Sequence, residues 1–133
     1  MNAVFADTSY FLALVNVHDD AHQRATEFSE AHDAAVVTTA WVLTELANAL
    51  ARSSHRGVFL RILDDLKGNP TCAIVPAGQA LHEQGIELYR ARPDKDWSLT
   101  DCISFLVMEQ QGLADALTAD HHFEQAGFRI LLA

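Results

Sequence analysis

Four acidic residues in this chain occupy positions from which their carboxylates can converge on one site. Asp7 and Asp120 each directly follow a short apolar run, as if at the end of a strand. Asp101 lies in the first turn of a predicted apolar helix, and Glu45 lies in the second turn of another. Carboxylate oxygens are the ligands that Mg²⁺ and Mn²⁺ prefer, and such ions promote phosphodiester hydrolysis. The four acids therefore predict a divalent-metal site.

Short apolar runs alternate with helical patterns along the chain, which is typical of βαβ units around a parallel sheet. The predicted strands span residues 3–6, 35–38, 72–75, 115–118 and 128–132. The predicted helices span residues 10–15, 19–31, 40–52, 56–67, 78–90, 99–111 and 121–125. The pattern predicts the α/β class, with a single domain over residues 1–133.

The predicted sheet explains how distant acids can meet. Junctions that lead from a strand into a helix all lie at the carboxyl edge of a parallel sheet, where ligands bind, so Asp7 and Asp120 share that edge. The helix 99–111 is apolar on nearly every side and is expected to be central, with Asp101 facing the same edge. Glu45 lies at the margin of an apolar stripe, so we expect it to be shielded from bulk solvent.

Helix capping is the simpler explanation for each acid taken alone. Ser98 and Asp101 are spaced as a capping box, and Asp7 and Asp120 stand at N-cap positions. Glu45 could be a half-exposed helix residue. However, Asn and Ser cap about as well as Asp, and they avoid the repulsion between crowded carboxylates. The combination of four acids therefore favours a bound cation over capping alone.

Composition limits the functional classes. The chain has 133 residues and a net charge of -9, which argues against a protein that grips nucleic acid through a broad basic surface. Six of the nine cations fall within residues 52–61 and 90–95, where solvated helix ends are the competing interpretation.

The expected location is the cytoplasm. The longest apolar stretches, 10–17 and 102–108, are too short to cross a membrane. Residues 1–7 contain no basic segment typical of a secretory signal. Cys72 and Cys102 form no C-x-x-C motif and are interpreted as reduced thiols.

Three other functions compete with the carboxylate metal site as interpretations of the sequence. His18 and His22, spaced by four, offer a competing transition-metal site, although no further Cys or His completes the set. His122 could approach a substrate from the side of Asp120, but the predicted site does not include it. Asp7 also resembles the acid of phosphoaspartate enzymes, which need a second acid two residues on, where this chain has Ser9, or a lysine near the last strands, whereas no lysine follows Lys95. A binding module without catalysis is the third alternative.

Four segments, in order along the chain, resemble the acidic motifs of PIN-domain nucleases, especially VapC-type toxins. They are residues 7–9 (DTS), 44–46 (TEL), 97–102 (WSLTDC) and 118–123 (TADHHF). The resemblance implies a three-layer α/β/α sandwich with a central parallel sheet. It also implies Mg²⁺- or Mn²⁺-dependent RNA cleavage as the toxin of a type II toxin–antitoxin pair, homodimers, and a small antitoxin that occupies the site. The alternative is a catalytically weak PIN-fold module that binds RNA or protein.

The resemblance also assigns residues to roles. It implies that the metal-site and catalytic residues are Asp7, Glu45, Asp101 and Asp120, with Asp96 as a further acid at the second metal position. Supporting hydroxyls are predicted near the same edge at Thr8, Ser98, Thr100 and Thr118. The candidates for contact with the RNA backbone are Arg52, Arg56, Arg90, Arg92 and Lys95.

Overall fold

The fold was described from a computed structural model that covers residues 3–31 and 34–133. Met1 and Asn2 lie outside the described residues. They begin the segment 1–7, for which no secretory signal is predicted. The strands are β1 (Val4–Ala6), β2 (Val36–Thr39), β3 (Cys72–Val75), β4 (Asp115–Leu117) and β5 (Arg129–Ile130). The helices are α1 (Thr8–Val15), α2 (His22–Ala31), α3 (Ala40–Ala49), α4 (Arg56–Gly68), α5 (Gln79–Ala91), α6 (Leu99–Gln111) and α7 (His121–Gln125).

All strand pairs in the sheet are parallel, and the strand order is β3-β2-β1-β4-β5. The chain leaves β3 at one edge, passes through α5 and α6, and returns on the far side of β1 as β4. The strand order therefore reverses between β1 and β4, and such a switch point opens a crevice at the carboxyl ends of the two strands. The predicted α/β class and three-layer α/β/α sandwich are confirmed.

An aromatic cluster fixes the elements that carry the predicted site. The ring of Phe123 on α7 packs edge-on against Phe105 on α6, with ring centroids 4.9 Å apart. Phe123 also packs against Phe5 on β1, and Trp97 contacts Phe105 from the loop before α6. All four side chains are buried. Aromatic side chains bury large apolar areas, so this cluster holds the start of α6 and of α7 against the end of β1.

The ends of most elements agree with the sequence patterns, and the differences have local causes. Helix α6 has the predicted bounds because Ser98 caps its start and Gly112 ends it in a left-handed conformation (φ +67°). Helix α2 begins at His22 rather than at residue 19, since the side chain of Asp19 accepts a hydrogen bond from the backbone N–H of Ala21 and forms a turn. Helix α1 begins two residues earlier than predicted, at Thr8.

The two cysteines are both free, as predicted; Cys72 is half-buried and Cys102 is buried. Within residues 3–31 and 34–133, no helix combines the length and apolar character needed to cross a bilayer.

Gly85 on α5 allows the close approach of α6. A Cβ at this position would clash with Cγ1 of Ile103, which is fully buried. We therefore expect Gly85→Ala to lower the free energy of unfolding by about 1–3 kcal/mol, measured by urea denaturation. Gly57 on α4 is the matched control, because nothing lies within 4 Å of a Cβ built there. Gly57→Ala should be neutral or stabilise by up to about 1 kcal/mol; equal effects of the two variants would contradict the packing argument.

Candidate active site

Asp7 lies at the carboxyl end of β1 and is held by side chains rather than by a helix cap. Its side chain makes no capping bond to α1, so the capping explanation is wrong for this residue. Its Oδ2 accepts hydrogen bonds from the hydroxyls of Thr118, at 2.9 Å, and Ser9, at 3.3 Å. Thr118 Oγ1 in turn accepts from the backbone N–H of Asp120 at 3.0 Å. Thr118 thus links the ends of β1 and β4 across the switch point.

Glu45 on α3 reaches the same crevice through Thr8. The Thr8 hydroxyl donates to Glu45 Oε1 at 2.6 Å, so the end of the Glu45 side chain lies beside the first residue of α1. Glu45 is nevertheless exposed, and the expectation that it would be shielded from solvent is wrong. The helical wheel located it correctly at the edge of the apolar stripe, but that edge faces an open crevice rather than a neighbouring element.

Asp101 forms the capping box and also contacts a histidine. Its Oδ2 accepts from the backbone N–H of Ser98 at 3.1 Å, and Ser98 Oγ accepts from the Asp101 N–H at 3.0 Å. The capping explanation is therefore correct for one oxygen of Asp101. The same oxygen lies 3.1 Å from Nδ1 of His122. Asp101 is only 8% exposed, so these contacts are made in a largely buried setting.

Asp120 and His122 complete the cluster from α7. Asp120 Oδ1 accepts from the backbone N–H of His122 at 2.9 Å and lies 3.5 Å from Nδ1 of its imidazole. Asp101, Asp120 and His122 each offer one ligand atom, and these atoms lie within 4.8 Å of one another. His122 was not among the residues predicted for the site. Its position two residues after Asp120 was the available signal, but the signal did not show that the ring turns toward Asp101.

Electrostatic repulsion connects all four acids. Burial, with a smaller contribution from repulsion by Asp101 and Glu45, raises the pKa of Asp7 from 3.8 to about 6, against the lowering effect of its hydrogen bonds. Burial also raises the pKa of Asp101, and Asp120 adds repulsion. The contacts place the acids together independently: Thr118 bonds to Asp7 and to the Asp120 N–H, and His122 contacts both Asp101 and Asp120. Glu45 joins them through Thr8, the neighbour of Asp7.

The donor set fits a hard divalent cation. In the part of the chain described, no Lys or Arg lies within the 4.0 Å salt-bridge distance of the four carboxylates, and the only such contacts come from His122. Asp101 Oδ1 and Asp120 Oδ2 accept no hydrogen bond from the described residues. No buried side-chain oxygen lacks a partner there, so these two oxygens face solvent. Clustered, accessible and uncompensated carboxylates are what Mg²⁺ or Mn²⁺ requires.

The other predicted residues near the site divide into two groups. The hydroxyls of Thr8 and Thr118 bond to acids of the crevice, and that of Ser98 serves the helix cap. The Thr100 hydroxyl makes no hydrogen bond to a described residue, and Asp96 is exposed in the loop before α6, outside the cluster around His122. The structure therefore gives neither of these two a contact with the four acids.

The five predicted basic residues lie in two different places on the surface. Arg90, Arg92 and Lys95 line a groove of about 1090 Å³ that extends to Ser98 and therefore adjoins the start of α6. Arg92 forms two hydrogen bonds to Asp94, and its guanidinium lies 5.1 Å from the centre of the Trp97 ring. Arg52 and Arg56 are exposed and lie after the end of α3, outside this groove.

The competing histidine site is not formed. Helix α2 begins at His22, so His18 lies in the turn before it and the pair does not share a helical face. Nδ1 of His22 contacts the carbonyl oxygen of Ala13 at 2.7 Å. Within residues 3–31 and 34–133, the one group of metal-ligating side chains that converge is at the carboxylate crevice.

Comparison with known proteins identifies the class. Residues 4–129 match the family described as the PIN domain, and the chain belongs to this family. It is 31% identical over 126 residues to a Mycobacterium tuberculosis protein named 23S rRNA-specific endonuclease VapC20, an alignment that covers 94% of this chain and 95% of that protein. The crystal structure of VapC20, described as a sarcin-ricin loop cleaving toxin, is similar with a TM-score of 0.84 and 26% identity, covering 95% of this chain and 96% of the other.

More distant structures share the fold. VapBC2 from Rickettsia felis, solved with a DNA fragment from its promoter, has a TM-score of 0.67 at 15% identity and covers 98% of this chain and 97% of its own. FitAcB from Neisseria gonorrhoeae has a TM-score of 0.66 at 16% identity, covering 98% and 96%. At these identities the likeness supports the three-layer architecture alone.

Proposed function

We propose that this protein is an endoribonuclease that hydrolyses RNA phosphodiester bonds with Mg²⁺ or Mn²⁺, and that it is the toxin of a toxin–antitoxin pair. The observation that carries the proposal is the crevice at the β1/β4 switch point, where contacts gather four carboxylates that have no lysine or arginine partner among the described residues. Membership of the PIN family and the likeness to VapC20 support the same activity.

The four acids would hold the metal, and their neighbours keep them in place. Such an ion, when bound, polarises the scissile phosphate and lowers the pKa of a water molecule. Thr118 and Ser9 orient the Asp7 carboxylate. The Thr8 hydroxyl holds one oxygen of Glu45 and leaves the other free of hydrogen bonds from the described residues. As the exposed member of the four, Glu45 is the one best placed to orient the attacking water and accept its proton.

The groove beside α6 is the proposed path for the RNA strand. The groove is lined by Arg90, Lys95 and Trp97 and extends to Ser98, which caps the helix that carries Asp101. Arg92 is paired with Asp94 and Arg90 with Glu87, whereas Lys95 forms no salt bridge to a described residue and is the most available of the three to phosphates. The naming of VapC20 makes 23S ribosomal RNA the first substrate to test.

The partner proposals depend on likeness to relatives. VapC20 is described as a toxin, which supports a small antitoxin partner for this chain. The net charge of -9 suits a partner with a basic segment that covers the acidic crevice. A homodimer remains a prediction from the family resemblance. A catalytically weak RNA- or protein-binding module remains the alternative function.

The test combines metal binding with cleavage. Purified protein is incubated with 23S ribosomal RNA or intact ribosomes, with Mn²⁺ or with a chelator, and the new 5′ ends are mapped. We expect cleavage at a defined site only with metal. Mn²⁺ at about 100 times its Kd should also stabilise the protein by about 2.7 kcal/mol, seen as a rise in Tm. A rise in Tm without cleavage of any RNA would favour the binding module, and no rise at millimolar metal would refute the metal site.

A further inference from the structure

His122 is the one nitrogen ligand that faces the carboxylate crevice among the described residues, and the proposed chemistry does not use it. Its Nδ1 lies 3.1 Å from Asp101 Oδ2 and 3.5 Å from Asp120 Oδ1. The side chain is 30% exposed, so a small ion has access to the ring from solvent. The ring is held in place because α7 begins immediately before it and Phe123 anchors this short helix in the core.

These separations match those between neighbouring ligands of a single ion. Adjacent ligands of an octahedral ion bound at about 2.1 Å lie about 3 Å apart. Asp101 and Asp120 each keep a second oxygen free of hydrogen bonds from the described residues. One nitrogen and two carboxylates therefore offer ligand atoms that lie within 4.8 Å of one another.

We propose that His122 is itself a metal ligand through Nδ1, together with Asp101 and Asp120, and that it makes the site prefer Mn²⁺ over Mg²⁺. This inference rests on the proposed metal-dependent function. Mn²⁺ and Mg²⁺ both take carboxylate and water ligands, but Mn²⁺ is a first-row transition-metal ion and accepts an imidazole nitrogen more readily than Mg²⁺, which retains its waters. A site of carboxylates alone would discriminate less between the two ions. The preference for Mn²⁺ thus depends on one residue outside the four acids.

The alternative role for His122 is to position the carboxylate of Asp101 by donating a hydrogen bond. The two roles differ in a measurable way. A histidine ligand gives ¹⁴N modulation in the electron spin echo of bound Mn²⁺, whereas a histidine that only bonds to a ligand leaves the ion with oxygen neighbours. Loss of a positioning residue should also weaken Mn²⁺ and Mg²⁺ binding alike.

The experiment uses the full chain loaded with Mn²⁺, and separately titrated with Mn²⁺ and Mg²⁺ by calorimetry. We expect ¹⁴N modulation in the wild type and its loss in His122→Gln. That variant should weaken Mn²⁺ binding ~10-fold and Mg²⁺ binding less than ~2-fold. His121→Gln is the matched control and should retain the modulation and both affinities, since His121 is exposed and paired with Glu124.

Each of the other outcomes overturns a specific part of the proposal. Bound Mn²⁺ without ¹⁴N modulation in the wild type, or modulation that persists in His122→Gln, overturns the ligand role while leaving the nuclease proposal intact. Equal weakening of both ions reduces His122 to a positioning residue. If the wild type binds neither ion, the proposed function fails as well. The wild-type spectrum alone tests the inference if His122→Gln does not fold.

Discussion

Asp101→Asn is expected to reduce Mn²⁺-dependent RNA cleavage by ~100-fold or more in kcat while the protein remains folded. The substitution removes a charged metal ligand, but the amide oxygen can still accept the hydrogen bond from the Ser98 N–H that the carboxylate accepts now. The measurement is kcat on 23S ribosomal RNA at saturating Mn²⁺, accompanied by urea unfolding in chelator. The helix cap survives in this variant, so a loss of activity cannot be attributed to the start of α6.

Asp101→Ala removes the helix cap together with the metal ligand, so its stability in chelator tests the capping role of Asp101. It removes both the cap acceptor, worth about 1 kcal/mol, and a carboxylate whose pKa burial and the charge of Asp120 raise. The two effects oppose each other, so this variant in chelator should be no less stable than the wild type, while cleavage is lost.

Asp115→Asn is the matched control for both changes. Asp115 lies at the start of β4, at the opposite edge of the sheet, and pairs with Arg129 in an exposed contact. Its replacement should leave cleavage intact and change stability by no more than about 1 kcal/mol. If Asp101→Ala were strongly destabilising and still active, Asp101 would be a cap residue and not part of a metal site.

The position of Asp7 and Asp120 in the chain was sufficient to predict that they share an edge, because all junctions from a strand into a helix lie at the carboxyl edge of a parallel sheet. Helix α6 was predicted with its observed bounds, since Ser98 and Gly112 are explicit start and stop signals. The local pattern alone places Asp7 directly after β1 and Asp120 between β4 and α7. These conclusions required no knowledge of side-chain conformation.

Features that depend on how the helices and strands pack against one another were not predicted. Glu45 was placed on the correct side of α3, but periodicity gives a direction and not the openness of the space that the side chain enters. The hydroxyl oxygens of Ser9 and Thr118 lie 2.9 Å apart although the residues are 109 positions apart, and this contact depends on the register of β1 and β4. The turn of His122 toward Asp101 depends on how α7 docks through Phe123. Such pairings are set by packing between elements, which no local pattern encodes.

Asp7→Asn is expected to stabilise the metal-free protein at neutral pH. Burial, with repulsion from Asp101 and Glu45, raises the pKa of Asp7 from 3.8 to about 6. A carboxyl group whose pKa is higher in the folded state contributes stability that is fully present below pH ~4 and is lost as pH rises through about 6. Above that range the wild type bears a cost of up to about 3 kcal/mol, since each pKa unit corresponds to about 1.4 kcal/mol.

The asparagine removes this cost and keeps an oxygen that can accept from the Thr118 hydroxyl. Urea unfolding in chelator from pH 4 to pH 8 should therefore show no difference near pH 4 and an advantage for Asp7→Asn of about 2–3 kcal/mol above pH 7. Asp94→Asn is a control of opposite sign. Arg92 lowers the pKa of the exposed Asp94 to about 2, so any contribution it makes to stability is present above pH ~4 and is lost as pH falls toward 2.

Saturating Mn²⁺ should reverse the ranking at neutral pH. The wild type gains binding energy and loses its electrostatic cost, whereas Asp7→Asn lacks a charged ligand and gains much less. The two stability curves should therefore cross as metal is added. If Asp7→Asn is instead the less stable protein in chelator above pH 7, hydrogen bonds from Thr118 and Ser9 outweigh the repulsion among the acids. Charge crowding in the crevice would then no longer argue for a bound cation, and direct measurement of metal binding would have to support the site alone.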